Sequence, residues 1–169
     1  MPLLDWSPSL QLDHPEMDQT HQAFITLLGQ TERALAQGAG PSALAHWAEL
    51  VLHTVGHFGQ EDRWMLATGF APDNCHSRQH AQVLTVLEEV GRLAADIGDF
   101  QPMSDCLPGL AQWFVGHVQS MDAALAAHLQ QLGFDPSTGA MAHPPAPEHA
   151  PMSGCGGSQC TPAPQPATA

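Results

Sequence analysis

The stretch HFGQEDRWMLATGFAPDNCHSRQH, residues 57–80, carries two pairs of polar side chains at helical spacing, His57 with Glu61 and His76 with His80. Residues four apart lie on one face of a helix, so each pair projects from a single rod. Gly69 and Pro72 stand between the pairs and end one rod before the next begins. Outward in both directions the pattern continues, with His21 upstream and with His117 and Asp122 downstream. The order is one His, then His-x-x-x-Glu, His-x-x-x-His and His-x-x-x-x-Asp, each group on its own predicted helix. Four helices can aim these seven side chains at one point, which predicts a two-metal site.

Apolar residues recur three and four positions away from each group. They are Phe24, Ile25 and Leu28 after His21, Met65 after Glu61, Val83, Leu84 and Leu87 after His80, and Leu110, Trp113 and Phe114 before His117. The seven polar residues therefore fall on the stripes that form the core. Burying a polar group without a partner costs roughly 1 to 3 kcal/mol, and a lone carboxylate costs more. Seven such residues would exhaust the stability of a small domain unless something compensates them. Imidazole with carboxylate is the donor set of iron, zinc or manganese.

The same periodicity places the helices. The first is expected from about Met17 to Gln37, entered through Asp13, His14 and Pro15 and ended by Gly38 and Gly40. A second opens at Pro41 and Ser42 and ends before Gly69. The third follows Pro72, with Asp73 or Asn74 as its cap, and runs to about Ile97. A fourth opens near Ser104 or Asp105, carries Pro108 in its first turn, and reaches about Leu132. Short links between long helices predict an all-α, up-down-up-down antiparallel four-helix bundle. A spacing of five puts Asp122 about 140° around an ideal helix from His117, so the fourth helix is expected to be overwound, bulged or bent between them.

Composition changes near Gly139. Seven of the fifteen prolines follow it, mixed with Ala, Gly and Ser and without large aliphatic residues. Such a segment cannot bury enough surface to order itself, so residues 1–138 are expected to form the bundle and 139–169 a disordered Pro/Ala/Gly-rich tail. Seventeen acidic residues against four arginines and no lysine leave no basic patch for nucleic acid or anionic lipid. No apolar run approaches the roughly 20 residues of a membrane span, and the N-terminus lacks a signal-peptide pattern. The expected location is the cytoplasm. Cys75 and Cys106 stand alone and read as reduced thiols, whereas Cys155 and Cys160 look paired within Cys-Gly-Gly-Ser-Gln-Cys; with His143 and His149 they read by default as part of a solvated tail.

Coordination narrows the function. Two six-coordinate metals need about twelve bonds, and five imidazoles, two bridging carboxylates and one bridging oxide or hydroxide supply all but one of them. A nearly saturated metal pair with a single open position suits reversible binding of a small diatomic, and leaves little room to orient an organic substrate.

Over about residues 5 to 134 the chain resembles the hemerythrin family, and bacteriohemerythrins in particular. The resemblance is carried by Trp6, by Met17-Asp18-Gln19-Thr20-His21, by His57-Phe58-Gly59-Gln60-Glu61-Asp62 with Met65 and Gly69-Phe70, by His76 with His80, and by Trp113 with His117 and Asp122. It implies two non-haem iron ions bridged by oxide or hydroxide. His76, His80 and His117 would hold one iron, His21 and His57 the other, and Glu61 and Asp122 would bridge them. Asp62 departs from the second Glu common at that position, and Phe70-Ala71-Pro72 from a Tyr-Pro turn. Neither departure stands at a proposed ligand position.

The implied function is reversible oxygen binding for storage, transport or scavenging, without enzymatic turnover. Nitric oxide and peroxide are further candidate ligands. Alternative readings are an oxygen, redox or nitric oxide sensor, a di-iron peroxidase or oxidase, and an iron donor; the oligomeric state stays open. Phe24, Phe58, Trp113 and Phe114 read as an apolar wall of the site or as plain core. Among the other histidines, His14, His46 and His128 are expected to face solvent, and His53, one turn before His57, to be either a supporting partner or helix surface.

Overall fold

A computed structural model describes residues 2–70 and 75–145. Proline and glycine set most of the element ends. The first helix, α1 (Pro15–Ala36), opens on a proline whose missing N–H would have had no helical partner, and His14 Nδ1 accepts from the Met17 N–H at 3.4 Å. α2 (Gly40–Thr68) stops at Gly69, whose φ of 70° is the left-handed conformation that closes a helix. α3 spans Cys75–Ile97 and α4 Gln101–His117. The caps expected at Asp73 and Asn74, and Ala71 and Pro72 before them, lie outside the described residues.

The start of α4 corrects the reading of Pro108. Pro102 occupies the first turn, and Pro108 sits inside the helix. Its ring leaves the Ser104 carbonyl without a helical donor, a loss that water can make good because Ser104 and Pro108 are both exposed. After His117 the helix passes through a π turn, Val118–Asp122, and continues as α5 (Ala123–Leu132). The irregularity expected between His117 and Asp122 is this turn.

Among the described residues the elements are helical, apart from one isolated bridge between Phe134 and Met141. Residues 139–143 run back along the end of α5, where the Ala142 N–H donates to Gly133 and the His143 N–H to Leu132. Residues 146–169 of the segment expected to be disordered, with His149, Cys155 and Cys160, lie outside the described residues. No described helix is long and apolar enough to cross a membrane.

The helices pack as α1 on α2, α2 on α3, α3 on α4, and α1 on α4, with α5 on α2. Their buried apolar residues form two clusters. The larger holds Phe24, Leu28, Trp47, Leu50, Leu87, Met103, Leu107 and Phe114; the smaller holds Met17, Trp64, Met65, Phe70, Leu125 and Leu129. Trp47 ties α2 to α3 through a buried bond from its indole N–H to the Leu87 carbonyl at 2.9 Å. Along α1, α2 and the α4–α5 rod, the polar residues singled out above fall between the positions that feed the two clusters. The site is thereby sealed at both ends by packed hydrocarbon.

Val-Gly-His occurs twice, at residues 55–57 and 115–117, and a Cβ built at Gly56 or Gly116 would meet nothing within 4 Å, so neither glycine is there for a close helix approach. Cys106 is free. Cys75 is disulfide-bonded, which corrects its reading as a reduced thiol. Isolation along the chain, on which that reading rested, does not limit which sulfurs meet in the fold.

Candidate metal centre

Each of the seven side chains arrives from the element expected of it. α1 supplies His21, α2 supplies His57 and Glu61, α3 supplies His76 and His80, and the end of α4 with its π turn supplies His117 and Asp122. All seven are buried, with Glu61, Asp122 and His21 fully so. The π turn absorbs one extra residue, so His117 and Asp122 face the same way while Phe114 and Leu125 stay in the core.

Their donor atoms crowd together. His76 Nε2 lies 3.0 Å from Asp122 Oδ1 and 3.2 Å from Glu61 Oε2. His80 Nε2 is 3.3 Å from Glu61 Oε2 and 3.1 Å from His117 Nε2. His117 Nε2 is 3.1 Å from Asp122 Oδ1, His21 Nε2 is 3.1 Å from Asp122 Oδ2, and His57 Nε2 is 3.6 Å from Glu61 Oε1. Yet neither carboxylate, nor either ring nitrogen of His21 and His76, is aligned in a hydrogen bond. Buried polar atoms about 3 Å apart with unused lone pairs are costly by themselves. They suit an ion at their centre, since an octahedral ion with bonds of about 2.1 Å sets adjacent donors about 3 Å apart.

The donors fall into two overlapping groups. Glu61, His76, His80, His117 and Asp122 form one, and His21, His57, Glu61 and Asp122 the other. Both carboxylates belong to both groups, so each has one oxygen to offer on either side.

Electrostatics run the same way. Burial pushes His57 down to about 4, against the pull of Glu61, so its imidazole is neutral and its lone pair available. Burial also lowers His117. Burial and Asp122 push Glu61 up, but His57, His76 and His80 prevail and hold it at about 2. His76 is raised to about 9 because Asp122 and Glu61 outweigh its burial. Without a cation, then, His76 keeps a proton that a cation must displace. Apparent affinity is expected to fall roughly tenfold per pH unit as the pH drops from about 9 toward neutrality, and competition with a chelator across that range measures it. Affinity that does not vary with pH would contradict the assignment of His76.

The surroundings are aromatic and polar by turns. Phe58 stacks on His80 with centroids 3.8 Å apart, Trp113 stacks on His117 at 4.5 Å, and Phe114 meets His21 edge-on at 5.4 Å. Phe24 stacks on Phe114 at 4.4 Å, so all four aromatics of the expected wall lie on the donors or one ring away. His53 bonds the Thr20 carbonyl through Nε2 at 2.9 Å, beside His57. His14 and His128 are half-buried and do not simply face solvent: one caps α1 and packs on Trp64, the other bonds the Thr68 carbonyl. Gln79, which the sequence reading passed over, meets His117 Nδ1 with its amide oxygen at 3.1 Å. It stands three residues after His76, on the face that carries the donors.

The family model described as the hemerythrin HHE cation binding domain matches residues 13–129, which hold all seven side chains. The chain belongs to the hemerythrin family. It is 36% identical over 135 residues to a bacteriohemerythrin of Ralstonia nicotianae, covering 80% of this chain and 95% of that one. A bacteriohemerythrin of Stenotrophomonas maltophilia is 28% identical over 144 residues, covering 82% and 92% of the two chains. The myohemerythrin of Riftia pachyptila is 25% identical over 118 residues, covering 69% of this chain and 86% of that one. Across these hemerythrins the similarity spans most of each chain, so it belongs to the bundle and its cation site as a unit.

Proposed function

We propose that this hemerythrin-family chain is a non-haem di-iron protein that binds oxygen reversibly, for storage, transport or scavenging. The observation that carries the reading is the sharing of Glu61 and Asp122 by two buried donor groups. On this reading His76, His80 and His117 would hold one iron and His21 and His57 the other, with Glu61 and Asp122, which belong to both donor groups, serving both. With a bridging oxide or hydroxide, these donors would fall one short of saturating the pair, which suits binding of a small diatomic.

The helices are read as an up-down-up-down antiparallel bundle. In support, α1 runs from the smaller apolar cluster through the site to the larger, and α2 runs in the reverse order. α3 again leads from the site to the larger cluster, and the α4–α5 rod returns. Residues 1–138 are read as the functional unit and the remainder as its appendage.

A bound ferrous pair supplies the two electrons that oxygen takes up and gives back. The chain's own contribution is to hold the pair and limit access. Phe58, Phe114 and Trp113 keep water from the donors, which suits binding without turnover. A cavity of about 600 Å³ with a mixed polar and apolar lining, including Glu16, Thr20, Leu52, His53 and Trp64, reaches the His57 side of the site and offers a path for a small ligand.

Oxygenating the reduced, iron-loaded protein tests this. A visible charge-transfer band is expected to appear with oxygen and vanish when oxygen is withdrawn. Irreversible bleaching with consumption of peroxide would replace the reading with a di-iron peroxidase or oxidase.

A further inference from the structure

Among the described residues, His80 is the one of the five histidines whose outer nitrogen faces a carboxylate. Its Nε2 points inward, toward Glu61 and His117, while its Nδ1 is buried and lies 3.4 Å from Asp62 Oδ1 without an aligned hydrogen bond. Asp62 stands next to Glu61 on α2 but turns outward, with 46% of its side chain exposed. The Ser77 hydroxyl of α3 donates to the same Oδ1 at 2.9 Å, which ties the carboxylate down beside the ring. His117 meets a neutral amide instead, and the Nδ1 atoms of His21 and His76 have no hydrogen-bond partner.

A carboxylate at the outer nitrogen keeps the imidazole proton there and leaves Nε2 as the lone-pair atom. It also makes that lone pair a stronger donor, and loss of such a group typically costs 10–100-fold in metal affinity. We infer that Asp62, held by Ser77, is a positioning residue for one half of the centre, fixing the tautomer of His80 and tightening the ion shared with His76 and His117. The two halves are thereby unequal: among the described residues a carboxylate anchors the three-histidine ion from outside, and none meets the outer nitrogens of His21 and His57. This rests on the two-ion reading above.

The test compares wild type with Asp62→Leu, Asp62→Glu and Ser77→Ala, each loaded anaerobically with ferrous iron and titrated with a chelator, with circular dichroism as the check on folding. In Asp62→Leu, one ion of the two is expected to be released 10–100-fold more readily while the other behaves as in wild type. Asp62→Glu restores wild-type release, and Ser77→Ala shifts the same ion by less. In the zinc-loaded protein, nitrogen NMR of His80 should show a hydrogen-bonded Nδ1 proton in wild type and its loss in Asp62→Leu, a signal that general loosening would not move. A folded Asp62→Leu chain that holds both ions as wild type does, or that loses both equally, overturns the inference. If that variant does not fold, unchanged release from Ser77→Ala overturns it instead. A wild-type chain that takes up fewer than two ions overturns the underlying reading itself, whatever Asp62 does.

Discussion

Stripping the cations is expected to lower the melting midpoint by roughly 10 °C or more. The fully buried Glu61 and Asp122, with His21 and His76, carry eight nitrogen and oxygen atoms that make no hydrogen bond. An ion that binds only the folded chain, at about a thousand times its dissociation constant, adds about 4 kcal/mol. For a chain of this length each kcal/mol moves the midpoint by roughly 2–4 °C. The measurement is calorimetry before and after exhaustive chelation, followed by reloading. The midpoint should return with metal and climb with the logarithm of its concentration. Equal midpoints would mean that the fold tolerates its polar centre unaided, and the physical ground for a cation there would be lost.

The second large effect is expected from Asp122→Ala. Asp122 lies 3.0 Å from His76, 3.1 Å from His117 and 3.1 Å from His21, so like Glu61 it joins the two donor groups. On the proposed assignment, removing it would take one donor from each ion and leave three imidazoles facing a void. Bound metal should fall from two ions to at most one per chain, and the oxygen-dependent band should disappear. Breaking a buried charged contact of this kind costs about 3–5 kcal/mol, so the variant should also melt earlier. The exposed Gln119, three residues before it in the same π turn, gives the control, since Gln119→Ala should keep both ions. Metal content and melting curves of the two variants decide the matter. Two ions retained by a folded Asp122→Ala chain would remove Asp122 from the centre.

Much of this was legible because helices turn spacing into direction. His57 with Glu61 and His76 with His80 need only a regular helix to project together, and the flanking apolar residues say which way that face points. Asp122 was harder, since a spacing of five works only if the backbone departs from α geometry; the need for a bulge could be read, but not its form. Gln79 was missed although its spacing of three from His76 was a usable signal, because an amide among charged and aromatic candidates attracts no suspicion. The contact of Asp62 with His80 joins two helices, so no local pattern announces it. Pro108 and Cys75 mark another limit. A proline inside a helix is excused by solvent at its i−4 carbonyl, and a disulfide depends on distances in the fold, and neither is written in neighbouring residues.

The most direct test of the dinuclear centre is the iron content of the purified chain together with its iron X-ray absorption spectrum. Two ions per chain are expected, each with nitrogen and oxygen donors and with a second iron as near neighbour. One ion or none, or iron with no iron beside it, would contradict it.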